Sequence, residues 1–295
     1  MHVCEQNMRE ISVMPTELCM LMYTGRVMRE IFTMWKETRM IMLVAVIAAV
    51  YAAVLIPFQT LQIIPGITSI RPANVFPVIF GIMFGPAAAW GAGIGNLIGD
   101  LFGGTFGPGS VGGFVGNFFF GLIGYKLWGN LRPVSAGVEP DFRSAVGRQL
   151  VEFSIIAVTA SILCATIIAW VVDLLGLVPF ATLGPLITIN NTLAAVALGP
   201  PLLYLTYPRL KELGLLYPDL LRDEDVSGGT GGLSTPLSWA VVAIGVIWLG
   251  VGTLLSTGAG PELTSVAVVG GVGMVTVVAA AAAIGERLSG IISGT

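Results

Sequence analysis

Residues 71–103 read RPANVFPVIFGIMFGPAAAWGAGIGNLIGDLFG. Two apolar runs, 72–84 and 87–102, meet at Gly85-Pro86, a pair that marks a tight turn. At 1.5 Å per residue a helix over 72–84 reaches only about 20 Å, short of a hydrocarbon core of roughly 30 Å. Short, Gly/Pro-interrupted segments are tolerated at membrane depth where they are buried in protein or line a cavity. The pair is therefore expected to face inward. Gly91, Gly95, Gly99 and Gly103 recur at every fourth position of the second run. Such a stripe lets another helix backbone approach closely, and helix packing is its expected role. Asn96 and Asp100, four apart, share a helix face beside that stripe.

The composition around this stretch names the solvent. Hydrophobic residues make up 55% of the 295-residue chain and charged residues 11%, against roughly 25% charged in an average globular domain. Mean hydropathy is +0.88. A chain with so little charge cannot cover a water-facing surface, so the bilayer is its solvent. A net charge of −3 carries no basic footprint for nucleic acid. Cys4, Cys19 and Cys164 lie too far apart to suggest a disulfide framework or metal-ligand spacing. The one histidine, His2, excludes most zinc chemistry and nearly all Ser-His or Cys-His catalysis.

The remaining apolar runs are 40–56, 110–128, 150–175 and about 186–204, then 237–255 and 263–284. The expected fold is all-α and polytopic, with four regions. Residues 1–39 form a cytoplasmic lead-in, or precede an internal start at Met28, Met34 or Met40. Residues 40–206 form a six-helix membrane domain, 207–236 a charged, Gly-rich linker, and 237–285 a transmembrane hairpin. With both termini inside, 13 of the 14 basic residues fall on the cytoplasmic side, Lys126 among them, and Arg71 alone falls outside.

Charged side chains at membrane depth are expensive and point to function. Arg71 and Asp100 lie at the outer ends of tightly joined helices, close enough to meet. Mutual pairing, solvation at the interface and ligand binding all fit them. Asn74, Asn117 and the pair Asn190-Asn191 add carboxamides, whose commoner role is interhelical glue but which also suit a small polar ligand. Glu152 and Asp173, at the two ends of the fifth run, are expected to snorkel to the interface. Ala45, Ala49 and Ala53 form a small-residue stripe on the first helix, fit for in-chain packing or for a partner protein. There is no GxxxxGK[ST] loop, no HExxH, no GxSxG and no metal-ligand cluster. No catalytic residue, metal or cofactor is expected, and the chain cannot bind ATP by the P-loop route.

The stretch from Arg71-Pro72-Ala73-Asn74 through Phe84-Gly85-Pro86-Ala87 to Asp100, with the Gly-rich loop before Asn117, resembles the substrate-binding S component of energy-coupling factor (ECF) vitamin transporters. The repeat at Ala45, Ala49 and Ala53 is similar to that family's docking motif for the transmembrane coupling subunit. The resemblance covers about residues 36–206. It implies a six-helix binder in the cell membrane that takes a vitamin or related micronutrient from outside. Arg71, Asn74, Asn96, Asp100, Asn117 and Asn190 are the candidate contacts, beneath loops 57–71 and 103–109. A coupling subunit and two ATPase subunits would supply the energy. The hairpin after residue 236 is foreign to the six-helix pattern, and it leaves open a self-sufficient eight-helix transporter or channel.

Overall fold

The computed structural model describes residues 29–65, 67–221, 233–259 and 262–294. His2, Cys4, Cys19, the first 28 residues of the N-terminal segment and residues 222–232 of the linker lie outside the described residues.

The described chain is a helical bundle. A short α1 (Arg29–Thr33) leads into α2 (Thr38–Phe58). A small antiparallel hairpin follows, β1 (Gln62–Ile64) against β2 (Thr68–Ser69), and then a 3-10 turn over Pro72–Asn74. Next come α3 (Val75–Phe84), α4 (Pro86–Phe102), α5 (Gly109–Leu127), α6 (Val146–Leu174) and α7 (Phe180–Glu212). A one-turn α8 (Tyr217–Leu220) precedes the long pair α9 (Ser234–Leu254) and α10 (Glu262–Ala283), and α11 (Leu288–Ser293) closes the chain.

Five helical stretches are long and apolar enough to cross a membrane: Thr38–Phe58, Val146–Leu174, Phe180–Leu220, Ser234–Thr257 and Val266–Ala283. The protein is a multi-pass, all-α membrane protein. Of the other helices, α3, α4 and α5 are packed inside it. Nearly all of α3 is buried, enclosed by α5 and α7. Gly85, at φ +55°, makes the α3–α4 turn with the ring of Tyr217 against it, so a side chain there is excluded twice over.

The glycine stripe of α4 lies along α2. A methyl group at Gly91 would stand 2.6 Å from Ile47, at Gly95 2.9 Å from the Ala48 carbonyl, and at Gly103 2.7 Å from Gln59. The two backbones touch because these side chains are absent. Ala48 and Ala52 are buried in this seam, while Ala45, Ala49 and Ala53 face away from it and are exposed. In-chain packing therefore does not use the AxxxA stripe.

Three expectations need correction. The sixth helix is much longer than 186–204, running from Phe180 to Glu212 through Pro185, Pro200, Pro201 and Pro208. Proline ordinarily ends a helix by removing an N–H donor. At membrane depth an unpaired group is costly whether or not the helix stops, and neighbouring helices, side chains and local adjustment can satisfy the freed groups, so the helix continues. Glu152 does not snorkel: it is buried and accepts the Gly129 N–H at 2.8 Å, fixing the loop between α5 and α6. Asp173 caps the next connection, accepting the Phe180 N–H at 2.8 Å. Lys126 lies at the same end as the other basic residues but is not exposed there. It sits fully buried in the last turn of α5, 2.7 Å from Glu30, and also donates to the Ile284 carbonyl at 3.0 Å.

The α9–α10 pair packs on α6 and α7. Trp248 of α9 meets Trp170 of α6 edge-on at 6.3 Å. Just past α10, Asn130 donates to the Gly285 carbonyl at 2.7 Å, and Tyr217 donates to Glu286. The last helices are tied to the bundle at the end carrying Lys126, Arg132, Arg148, Arg209 and Lys211. Arg71 is the only basic residue at the opposite end among the described residues.

Candidate ligand site

A cavity of about 320 Å³ opens at the Arg71 end of the bundle. Ile67 and Thr68 of the β-hairpin turn and residues 104–109 between α4 and α5 cover it. Its polar lining comes from Arg71, Asn74, Asn96, Asp100, Ser110, Asn117 and Asn191, its apolar lining from Ile168, Val172, Leu177 and Ile187. Two wider clefts, about 920 and 640 Å³, lie at the other end, among the charged loops and the C-terminal helix.

The sequence places the polar groups by helix register. Asn96 and Asp100 are successive turns of α4, turned one face away from the glycines that bind α2. Asn117 looks out from the middle of α5, and Arg71 and Asn74 bracket the 3-10 turn that starts α3. The groups form two sets.

In the first set the Arg71 guanidinium donates to Asn96 Oδ1 at 3.0 Å and stands 3.9 Å from Asp100. The Asn96 amide donates to Asp100 Oδ2 at 3.1 Å, and Thr105 donates to Asp100 Oδ1 at 3.5 Å. Both charges are about nine-tenths buried. The ion pair is long, and Arg71 Nε is buried with no hydrogen-bond partner. A buried donor left unmade costs about 1–3 kcal/mol, so this corner gains from a ligand that supplies acceptors and donors of its own.

In the second set the Tyr51 hydroxyl reaches Asn74 Oδ1 at 2.7 Å and Asn117 Oδ1 at 2.9 Å. Asn74 donates to Asn191, and Asn117 to the Gly113 carbonyl at 2.8 Å. A hydroxyl has one proton for these two oxygens. One carbonyl is thus always under-satisfied, and this set has acceptor capacity to spare where the first has a donor.

Five of the six candidate contacts, Arg71, Asn74, Asn96, Asp100 and Asn117, line this one cavity. Asn190 does not. Its amide donates to the Ser69 carbonyl at 2.9 Å and holds the β-hairpin, while its neighbour Asn191 faces the cavity. One residue turns a helix by 100°, and the two amides exchange roles accordingly. The sequence reading missed Tyr51, Ser110 and Thr105. Tyr51 carried a signal, as the only polar-tipped side chain in the run 40–56. Cys164 also lines the cavity, as a buried thiol. Among the described residues no group of three or more His, Cys, Asp or Glu is arranged to hold a metal.

A polytopic bundle with a small, polar, partly enclosed cavity at one end defines a class: membrane transport proteins that hold a small solute. Residues 41–208 match the QueT transporter family, and the chain belongs to it. QueT proteins are S components of the ECF type, so this chain is one as well. The match ends within α7, leaving the α9–α10 pair outside it. No curated protein and no solved structure matches the chain.

Proposed function

We propose that this chain captures a queuosine precursor at the outer face of the cell membrane and presents it for ATP-driven import by separate subunits. The family supplies the substrate class. The observation that carries the proposal is the Arg71–Asn96–Asp100 corner. Queuosine is a 7-deazaguanine nucleoside, and the guanine-like edge of its base presents two adjacent N–H donors and one carbonyl acceptor. A carboxylate suits the donors, and the guanidinium N–H that lacks a partner suits the carbonyl. Size agrees: about 320 Å³ is at the lower end of the roughly 300–1,000 Å³ of small-molecule pockets.

The charge distribution supports an outward cavity, with both chain termini in the cytoplasm. The chain acts by binding, without catalysis. Energy comes from a coupling subunit and ATPase subunits on other chains, the former docking on the exposed stripe of Ala45, Ala49 and Ala53. The domain division 40–206 and 237–285 is part of the same proposal, with the α9–α10 pair as an addition to the binding unit.

The test is calorimetric titration of the purified chain in lipid nanodiscs with 7-deazaguanine bases and a vitamin panel. Micromolar or tighter binding of a deazaguanine base is expected. Binding of a vitamin with none of the bases overturns the substrate assignment. ATP-independent uptake into liposomes by this chain alone selects a self-sufficient eight-helix transporter instead.

A further inference from the structure

We infer that Phe106 is the stacking surface for the planar ring of the ligand and so sets the preference for flat aromatic bases. The inference rests on the cavity being a base site.

Hydrogen bonds along one edge fix a flat ring in its plane but leave its faces to apolar contact. Aromatic side chains meet that need best, because every base offers a π-face and base–aromatic stacking is strong. Among the described lining residues Phe106 is the only aromatic one. The rest of the apolar lining is aliphatic. Phe106 is 61% exposed, a large apolar surface with little to cover it.

The loop that carries it is anchored at the site. The Thr105 N–H donates to the Asp100 carbonyl at 2.9 Å, and its hydroxyl donates to the Asp100 carboxylate. The Gly107 N–H donates to Ser110 Oγ at 3.2 Å. Phe106 thus sits one residue from a group that touches the carboxylate proposed to read the base edge. On either side are Gly104, at φ +72°, and Gly107. Around both, nothing lies within 4 Å of where a side chain would start. The ring has anchored neighbours and free space around its backbone, which lets it settle on a bound ring without repacking a helix.

The experiment titrates 7-deazaguanine into the full chain in nanodiscs, wild type against Phe106→Ala, Phe106→Leu and Phe106→Trp. Removing a stacking partner weakens binding roughly five- to a hundredfold, and this loss is expected for Ala and equally for Leu, which covers area but cannot stack. Phe106→Trp is expected to bind as well as wild type. Phe106→Leu binding like wild type, or Phe106→Ala unchanged, overturns the stacking role while the base site stands. A wild-type chain that binds no deazaguanine overturns both.

Discussion

Gly113→Ala separates the binding site from the fold. Gly113 lies on α5 against the polar corner, and a Cβ there would stand 2.6 Å from Asn96 Nδ2 and 3.4 Å from Asp100 Oδ2. Optimal contact is about 3.5 Å or more, so the Asn96 amide must move by about 0.9 Å. That amide both accepts from Arg71 at 3.0 Å and donates to Asp100 at 3.1 Å. Displacing it breaks or stretches two hydrogen bonds to charged groups, each worth about 1.5–3 kcal/mol. Because the amide is the free end of a side chain, part of that is recovered by rotation. A net loss near 1.5–3 kcal/mol in ligand binding remains, about ten- to a hundredfold in Kd. Part of the same cost falls on stability, where replacing a mid-helix glycine by alanine returns about 1 kcal/mol, so stability is expected to fall less than affinity. Calorimetric titration beside thermal unfolding in the same nanodiscs reads both quantities. Gly250→Ala, on α9 with no atom within 4 Å of its would-be Cβ, is the control and is expected to leave affinity unchanged. Unchanged affinity in Gly113→Ala would refute the role given to Asn96 and Asp100. An equal fall in affinity and in Tm would mean that the corner is structural.

Three further outcomes are expected. Arg71→Ala and Asp100→Ala each weaken ligand binding about tenfold or more, by removing a charged hydrogen-bonding group; titration checks this, and wild-type affinity in both would remove the site. Ala49→Trp places a bulky ring on the exposed face of α2; co-purification with a coupling subunit should be lost while ligand affinity is kept, and intact assembly would count against docking there. Glu30→Ala strands the buried Lys126 ammonium and should lower stability by about 3–5 kcal/mol, whereas Glu30→Leu with Lys126→Met should recover most of it; thermal unfolding distinguishes the two.

Much of this fold was legible because the membrane restricts the choices. Apolar runs became helices, and Gly85-Pro86 became a turn. The fourfold glycine spacing became a helix seam, although nothing in the spacing said that α2 would be the partner. The failures have local causes. Pro185 masked the start of α7 and the charged residues after Tyr207 masked its end, whereas Pro200 and Pro201 already lay inside the expected run. The Gln62–Ser69 hairpin was missed because strands of three and two residues leave no periodicity to read. At the site, residue type identified Arg71, Asn96 and Asp100, and four-residue spacing joined the last two. Choosing Asn191 over Asn190 required the rotation of α7 about its axis, which sequence spacing does not carry. Tyr51 was passed over because its ring counted as apolar and its hydroxyl was ignored.

The Lys126 cluster also has a consequence for how the chain is made. The ammonium meets its first partner, Glu30, in a segment translated well before it, but its second acceptor is the Ile284 carbonyl, 158 residues later. At roughly 5–20 residues per second of synthesis, the bundle waits about 8–30 s with that proton unplaced. The matched transporter core is thus translated long before its Lys126 end is sealed, and the ribosome must deliver the final hairpin to close it.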